Sequence, residues 1–203
     1  MAAHLQAALA SPEELRGMAR TKTAHALYEA QRITDHLVQL LALYKIEQAF
    51  YPFDPQEHAL ADLAHEVLAR VGDLAGLRGI QMECDCPDDV YGWYDHELVF
   101  GVLVQALHNA LRYTRTRVRL GVQSMGSGVR IRVEDDGPGY PAFLLAQGNI
   151  QEKTISFETG STGLGLLFAK VVAELHKGGG QSGRLRLDNG GSLGGGCFIL
   201  ELP

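Results

Sequence analysis

Asp135-Asp136-Gly137-Pro138-Gly139 sets carboxylates and glycines together at the end of an alternating apolar run. A carboxylate beside two glycines lets a flat ligand come close to the backbone, and it can accept a hydrogen bond from an exocyclic amine such as that of adenine. The same letters also make plain turns, because Gly and Pro punctuate loops everywhere. A second run, Gly160-Ser161-Thr162-Gly163-Leu164-Gly165-Leu166, opens a helical pattern. Free N–H groups and the positive end of a helix dipole there suit phosphate oxygens. This run has no Gly-Lys-Ser/Thr ending and no preceding strand of a βαβ unit, so it is neither a Walker nor a Rossmann loop. Its ordinary alternative is a flexible loop before a helix. A third set, Gln105, Asn109, Arg112, Tyr113 and Thr114, lies on an apolar stretch. Polar groups on such a helix cost free energy unless they are partnered. Gln105, Asn109 and Arg112 fall at spacings of four and three and share one face. An asparagine oxygen suits Mg²⁺, which takes hard oxygen ligands and keeps several waters, and Arg112 suits a phosphate. The alternative is that these side chains cap packing at a domain edge.

These residues need elements to hold them. Ser11-Pro12-Glu13-Glu14 is a helix start: a cap, a proline at the first helical position and two acids against the dipole. Beyond it, Leu15, Ala19, Thr23, Ala26, Ala30, Ile33, Leu37, Leu40 and Tyr44 recur at steps of three and four. That spacing predicts one long amphipathic helix with a coiled-coil-like seam. The seam needs a partner helix, either in a homodimer or on the helix's own domain. Tyr51-Pro52-Phe53-Asp54-Pro55 reads as a linker. A second helix is expected over about 56–71, a strand over 80–86 and a buried helix over 95–113. Strands near 116–124 and 128–134 form a hairpin, residues 140–160 read as a long functional loop, and a helix starts at Leu164. Strands over 184–188 and 197–202 close the chain. The mixture lacks regular βαβ alternation, so the expected fold class is α+β, a two-layer α/β sandwich preceded by a long helix. The expected organisation is a helical dimerisation segment over 1–50, a linker over 51–55 and a ligand-binding domain over 56–203.

Composition narrows the functions. The 203 residues carry a formal net charge of −6, with 46% hydrophobic and 21% charged residues. That is a globular balance without the basic face of a nucleic-acid binder, so no nucleic-acid partner is expected. The three cysteines, Cys84, Cys86 and Cys197, make neither a disulfide framework nor a zinc site at finger spacing. Reduced thiols in a cytoplasmic protein are expected. No apolar run is long enough to span a bilayer and the N-terminus lacks a signal-peptide pattern, so no membrane contact is expected from this chain.

Taken together and in this order, the three runs resemble the GHKL ATPase superfamily: gyrase B, the ninety-kilodalton chaperones, the mismatch-repair MutL proteins and the sensor histidine kinases. Gln105 to Thr114 is similar to the N box, Asp135 to Gly139 to the first glycine box, and Gly160 to Leu166 to the second. Residues 140–160 occupy the place of the mobile ATP lid. Ile33–Glu47 resembles the second helix of the kinase dimerisation and phosphotransfer hairpin, which favours the kinase branch. The resemblance implies the GHKL ATP-binding fold, ATP and Mg²⁺ as cofactors, a homodimer through the N-terminal helix and a response regulator as partner. It implies that Asp135 holds the adenine amine and that Gly137 and Gly139 belong to the nucleotide-binding site. It also implies that Gly160, Ser161, Thr162, Gly163, Leu164 and Gly165, together with Tyr113, contact the nucleotide. Asn109 would bind Mg²⁺, and Asn109 and Arg112 would serve phosphoryl transfer. Hydrolytic members of the superfamily place a glutamate base one turn before the magnesium asparagine. Here that position is Gln105, and an amide cannot take a proton from water, so slow hydrolysis and transfer to a side chain are expected.

One expected feature is missing. Neither an H-E-L-R-T-P-type nor an H-D-M-K-N-S-type acceptor motif occurs, and His4, His25 and His36 are the histidines of the N-terminal segment. Each also reads as an ordinary surface or seam histidine. His108, beside Asn109, reads either as a nucleotide contact or as a packed side chain. Two functional readings follow: the catalytic core of a sensor histidine kinase, or a nucleotide-binding adaptor without autokinase activity that dimerises and docks a response regulator.

Overall fold

Side chains that alternate at a period of two fix a sheet with one apolar face. A computed structural model of the chain describes residues 12–126, 128–146 and 163–203, without the side chains of 12–28, 31 and 146. Its main sheet has the order β2-β4-β5-β9-β8, from β2 (Gln81–Asp85), β4 (Arg117–Met125), β5 (Gly128–Asp135), β8 (Arg184–Asn189) and β9 (Gly196–Leu202). β2 runs parallel to β4 and every other pairing is antiparallel. Register aligns Leu120, Val133, Phe198 and Leu187 in one row and Val122, Ile131, Leu200 and Leu185 in the next. Most of these are buried, and they form the inner face. The other face carries Arg119, Arg130 and Glu201, with Arg130 paired to Glu201 at 2.6 Å. One face is apolar and one wet, as an antiparallel sheet allows.

Three helices cover the inner face: α2 (Leu60–Leu77), α3 (His96–Tyr113) and α5 (Leu164–Leu175). α3 is buried on most sides, as its composition predicts, and Val99, Leu103, Leu107 and Leu111 are at most 1% exposed. Asp95 is its cap, accepting from the Leu98 N–H at 3.1 Å, and not its first residue. The expected helix over 56–71 is corrected at its start. Gln56–Ala59 is a short strand, β1, paired antiparallel with β3 (Tyr91–Tyr94), and the helix begins at Leu60. Four residues paired with a segment more than thirty positions away leave no local alternation to read. The strand pair β6 (Lys177–Gly178) and β7 (Gln181–Ser182) is also additional. In the expected loop over 140–160, Ala142–Ala146 forms the short helix α4, and 147–162 lie outside the described residues.

The chain divides into two compact units, Met1–Leu37 and Val38–Pro203. The long helix α1 (Pro12–Glu47) begins in the first and ends in the second. Within the second unit its last turns present two stripes. Gln39, Ala42, Leu43 and Ile46 are buried or half-buried, the last three against the core. Leu40, Leu41 and Tyr44 are exposed. The predicted seam members Ala30, Ile33 and Leu37, in the first unit, are exposed as well.

Candidate functional site

The site is built around α3, because both glycine runs close on it. Gly165 sits where a Cβ would come within 2.7 Å of the Gln105 side chain, so a larger residue there would have to displace that side chain. Gly137 lies against the Tyr113 carbonyl in the same way. Between these contacts, α3 presents Asn109, half-exposed, and Arg112, exposed. The Arg112 guanidinium stands over the Tyr113 ring, 5.4 Å from its centroid. His108 is buried in the helix layer.

Asp135 ends β5 and is 7% exposed. Its Oδ1 accepts two backbone N–H groups, from Gly137 at 2.7 Å and Gly196 at 3.2 Å. Among the described residues no hydrogen bond falls on Oδ2. Burial raises the Asp135 carboxyl above its ordinary range, the Gly137 and Gly196 amides lower it, and Asp136 raises it, with a net rise. Asp136 takes the opposite course. Burial would raise it, yet the hydroxyls of Thr114 and Thr116 and the turn's backbone N–H groups hold it well below the usual carboxylate range. It accepts from Thr114 Oγ1 at 2.5 Å, from the Arg115 N–H at 2.8 Å and from the Thr116 N–H at 2.9 Å. Asp136 thus staples the end of α3 to the first glycine run and has little capacity left for a ligand.

Sequence reasoning missed the loop that completes this pocket. The glycine-rich turn between β8 and β9 donates the Gly195 N–H to the Asp135 carbonyl at 3.0 Å, besides the Gly196 bond to its carboxylate. Ser192 donates to Glu134 at the end of β5. Asn189 clamps the exit of the first glycine run, accepting from the Tyr140 N–H at 2.7 Å and donating to the Tyr140 carbonyl at 2.9 Å. The density of glycines over 190–196 was the available signal, since backbone groups can approach one another closely there.

Of the second run, Gly160, Ser161 and Thr162 lie outside the described residues. Gly163 is the cap of α5, in the left-handed region at φ 65°, and Leu164 begins the helix. Gly163 offers no side-chain cap, and the first N–H groups of a helix are of the kind that hold anions. Asn109 offers one neutral, hard oxygen, which fits a Mg²⁺ ion that takes its remaining ligands from phosphate and water. Among the described residues no cluster of three His, Cys, Asp or Glu could cage a metal ion. Nor is any described helix long and apolar enough to cross a membrane.

The family described as histidine kinase-, DNA gyrase B-, and HSP90-like ATPase matches residues 94–203, more than half of the chain. The sensor histidine kinase RppB of Synechocystis sp. is 26% identical over 183 residues, covering 86% of this chain and 39% of its own length. The adaptive-response sensory kinase SasA of Prochlorococcus marinus is 29% identical over 158 residues, covering 74% and 40%. The chain therefore spans about two fifths of the length of these relatives. Among solved structures, the catalytic domain of histidine kinase ThkA matches with a TM-score of 0.62 at 25% identity, over 74% of this chain and 95% of that one. The Acinetobacter baumannii histidine kinase AdeS matches in fold with a TM-score of 0.65 at 17% identity, over 98% and 90%.

Proposed function

The chain belongs to the histidine kinase-, DNA gyrase B- and HSP90-like ATPases, and from there we propose that it is the part of a sensor histidine kinase that binds MgATP and donates its γ-phosphoryl group to a histidine. The observation that carries the reading is Asp135, a buried carboxylate with Oδ1 committed to two backbone amides and no hydrogen bond on Oδ2 among the described residues. Asp135 Oδ2 accepts the adenine amine. Asn109 would hold Mg²⁺, which when bound would supply positive charge against the phosphates. Arg112 and the N–H groups at the start of α5 hold the phosphate oxygens. In the transfer, a histidine nitrogen forms a bond to the γ-phosphorus and the bond to the β–γ bridging oxygen breaks. ADP leaves, and the imidazole gives up its N–H proton. Gln105 stands where hydrolytic relatives place a glutamate, and its amide cannot activate water. Residues 1–50 are the dimerisation segment, 51–55 the linker and 56–203 the catalytic domain. A response regulator is the downstream partner.

Two measurements test this. Asp135→Ala removes one charge-assisted hydrogen bond, so ATP affinity should fall by about 1.5–3 kcal/mol, or about ten- to a hundredfold. Unchanged affinity would remove Asp135 from the site. Incubation with γ-labelled ATP and Mg²⁺ should leave acid-labile, base-stable label on a histidine of this chain or of an added upstream segment. A chain that binds ATP yet labels neither is a nucleotide-gated adaptor instead.

A further inference from the structure

The two helices that carry the nucleotide residues lie antiparallel in a constant register. Asp95 at the cap of α3 meets His176 at the end of α5, Gly101 faces Phe168, and Gln105 faces Gly165. One end of this pair holds the proposed phosphate site. The other end is closed by side chains to which the phosphoryl transfer assigns nothing.

His176 is 2% exposed. The Asp95 backbone N–H donates to its Nε2 at 2.9 Å, so Nε2 carries no proton. The proton sits on Nδ1 and is donated to the Val172 carbonyl at 2.7 Å. Burial holds His176 below its ordinary pKa, against the opposing pull of the Val172 bond and the Asp95 charge, which keeps Nε2 an acceptor. The Asp95 carboxylate accepts from the Tyr51 hydroxyl at 3.2 Å and the Asp54 N–H at 3.2 Å, besides capping α3. The Phe53 ring meets the His176 ring edge-on, with centroids 5.0 Å apart. The segment that leaves α1 is therefore bonded to the base of α3 and, through one backbone amide, to the base of α5.

We propose that Asp95 and His176 are positioning residues for the nucleotide site: they set the register of α3 against α5 and tie that register to the segment arriving from α1. The proposal rests on the ATP-binding reading above. Its physical basis is helix stiffness. A helix of twelve residues is about 18 Å long and moves as a rod, so a shift at His176 arrives at Gly165.

The test uses the full chain, with the backbone amide NMR signals of Gly163 and Gly165 and the affinity for a non-hydrolysable ATP analogue with Mg²⁺. His176→Leu leaves the Asp95 N–H without an acceptor. It should move both distant glycine signals and weaken the analogue by about tenfold. His176→Gln keeps an acceptor near the position of Nε2 and should restore both. Tyr51→Phe deletes only the hydroxyl on the linker and should move the Gly165 signal in the same direction, by less. A folded His176→Leu chain with both glycine signals at their wild-type positions overturns the proposal. If that variant does not fold, an unmoved Gly165 signal in Tyr51→Phe overturns it instead. A wild-type chain that does not bind the analogue counts against the ATP reading alone, because the glycine signals report the register without any nucleotide.

Discussion

Asp135 and Asp136 are neighbours whose carboxyl groups are driven in opposite directions. Asp136 is surrounded by hydroxyl and amide donors of the 114–116 turn and stays ionised. Asp135 is buried with two amide donors and protonates more readily than an ordinary aspartate. A carboxyl whose folded pKa is raised binds more protons folded than unfolded. Its charge therefore costs stability as pH rises through the window above the ordinary value of about 3.9, and that cost is relieved as pH falls. A ligand that hydrogen-bonds the ionised form offsets part of it. Adenosine, which lacks phosphates that titrate, should lose affinity on acidification from a pH above the ordinary aspartate range. Asp135→Asn should bind it with no such slope. Calorimetric titration across pH checks this, and a matching slope in the variant would assign the proton elsewhere. The sequence shows two adjacent carboxylates but not which one is used up internally. Their partners lie at 114–116 and at 196, and chain order alone does not bring those together.

α1 ends on a residue that resists its own conformation. The Phe50 N–H reaches the Lys45 carbonyl and the Ala49 N–H reaches that of Ile46, the two bonds of a Schellman turn. Ala49 occupies its left-handed position at φ 56°, where glycine is usual. Ala49→Gly should stabilise the chain by about 0.5–1 kcal/mol, or about 1–4 °C in Tm. A melting point at or below wild type would show that the gain in chain entropy of the unfolded state outweighs the relieved strain. Elements governed by local pattern were legible from the sequence: α3 to within its cap, the β4–β5 hairpin, the start of α5 and the final strands. Those created by distant partners were not. β1 has no alternation of its own and exists because β3 pairs with it, and His176 gave no sign that it would seat the cap of a helix eighty positions earlier.

In the molecule as a whole, α1 is asked to serve two surfaces. Gln39, Ala42, Leu43 and Ile46 turn toward the catalytic unit, and Gln39 Nε2 lies 3.4 Å from Gln105 Oε1. Leu40 and Tyr44, at 55% and 57% exposure, lie on the other side of the helix. Apolar side chains at helical spacing left in water suit a second helix, and the proposed homodimer would supply one from a second copy of this chain. Leu40→Glu combined with Tyr44→Glu should convert a dimer to a monomer in sedimentation equilibrium without changing ATP affinity. A variant that stays dimeric would place the interface elsewhere.

The two amides on Asp135 Oδ1 also constrain which base can be read. Both are donors, so whatever occupies that position must present them with a lone pair. An asparagine there would have to turn its carbonyl oxygen to Gly137 and Gly196, leaving its NH₂ group facing the ligand. With Asp135 as the base contact, the wild-type pocket would select a purine with an amino group at the contacted position. Its amide variant would favour one with a carbonyl there, and adenosine and inosine would exchange rank through a single atom.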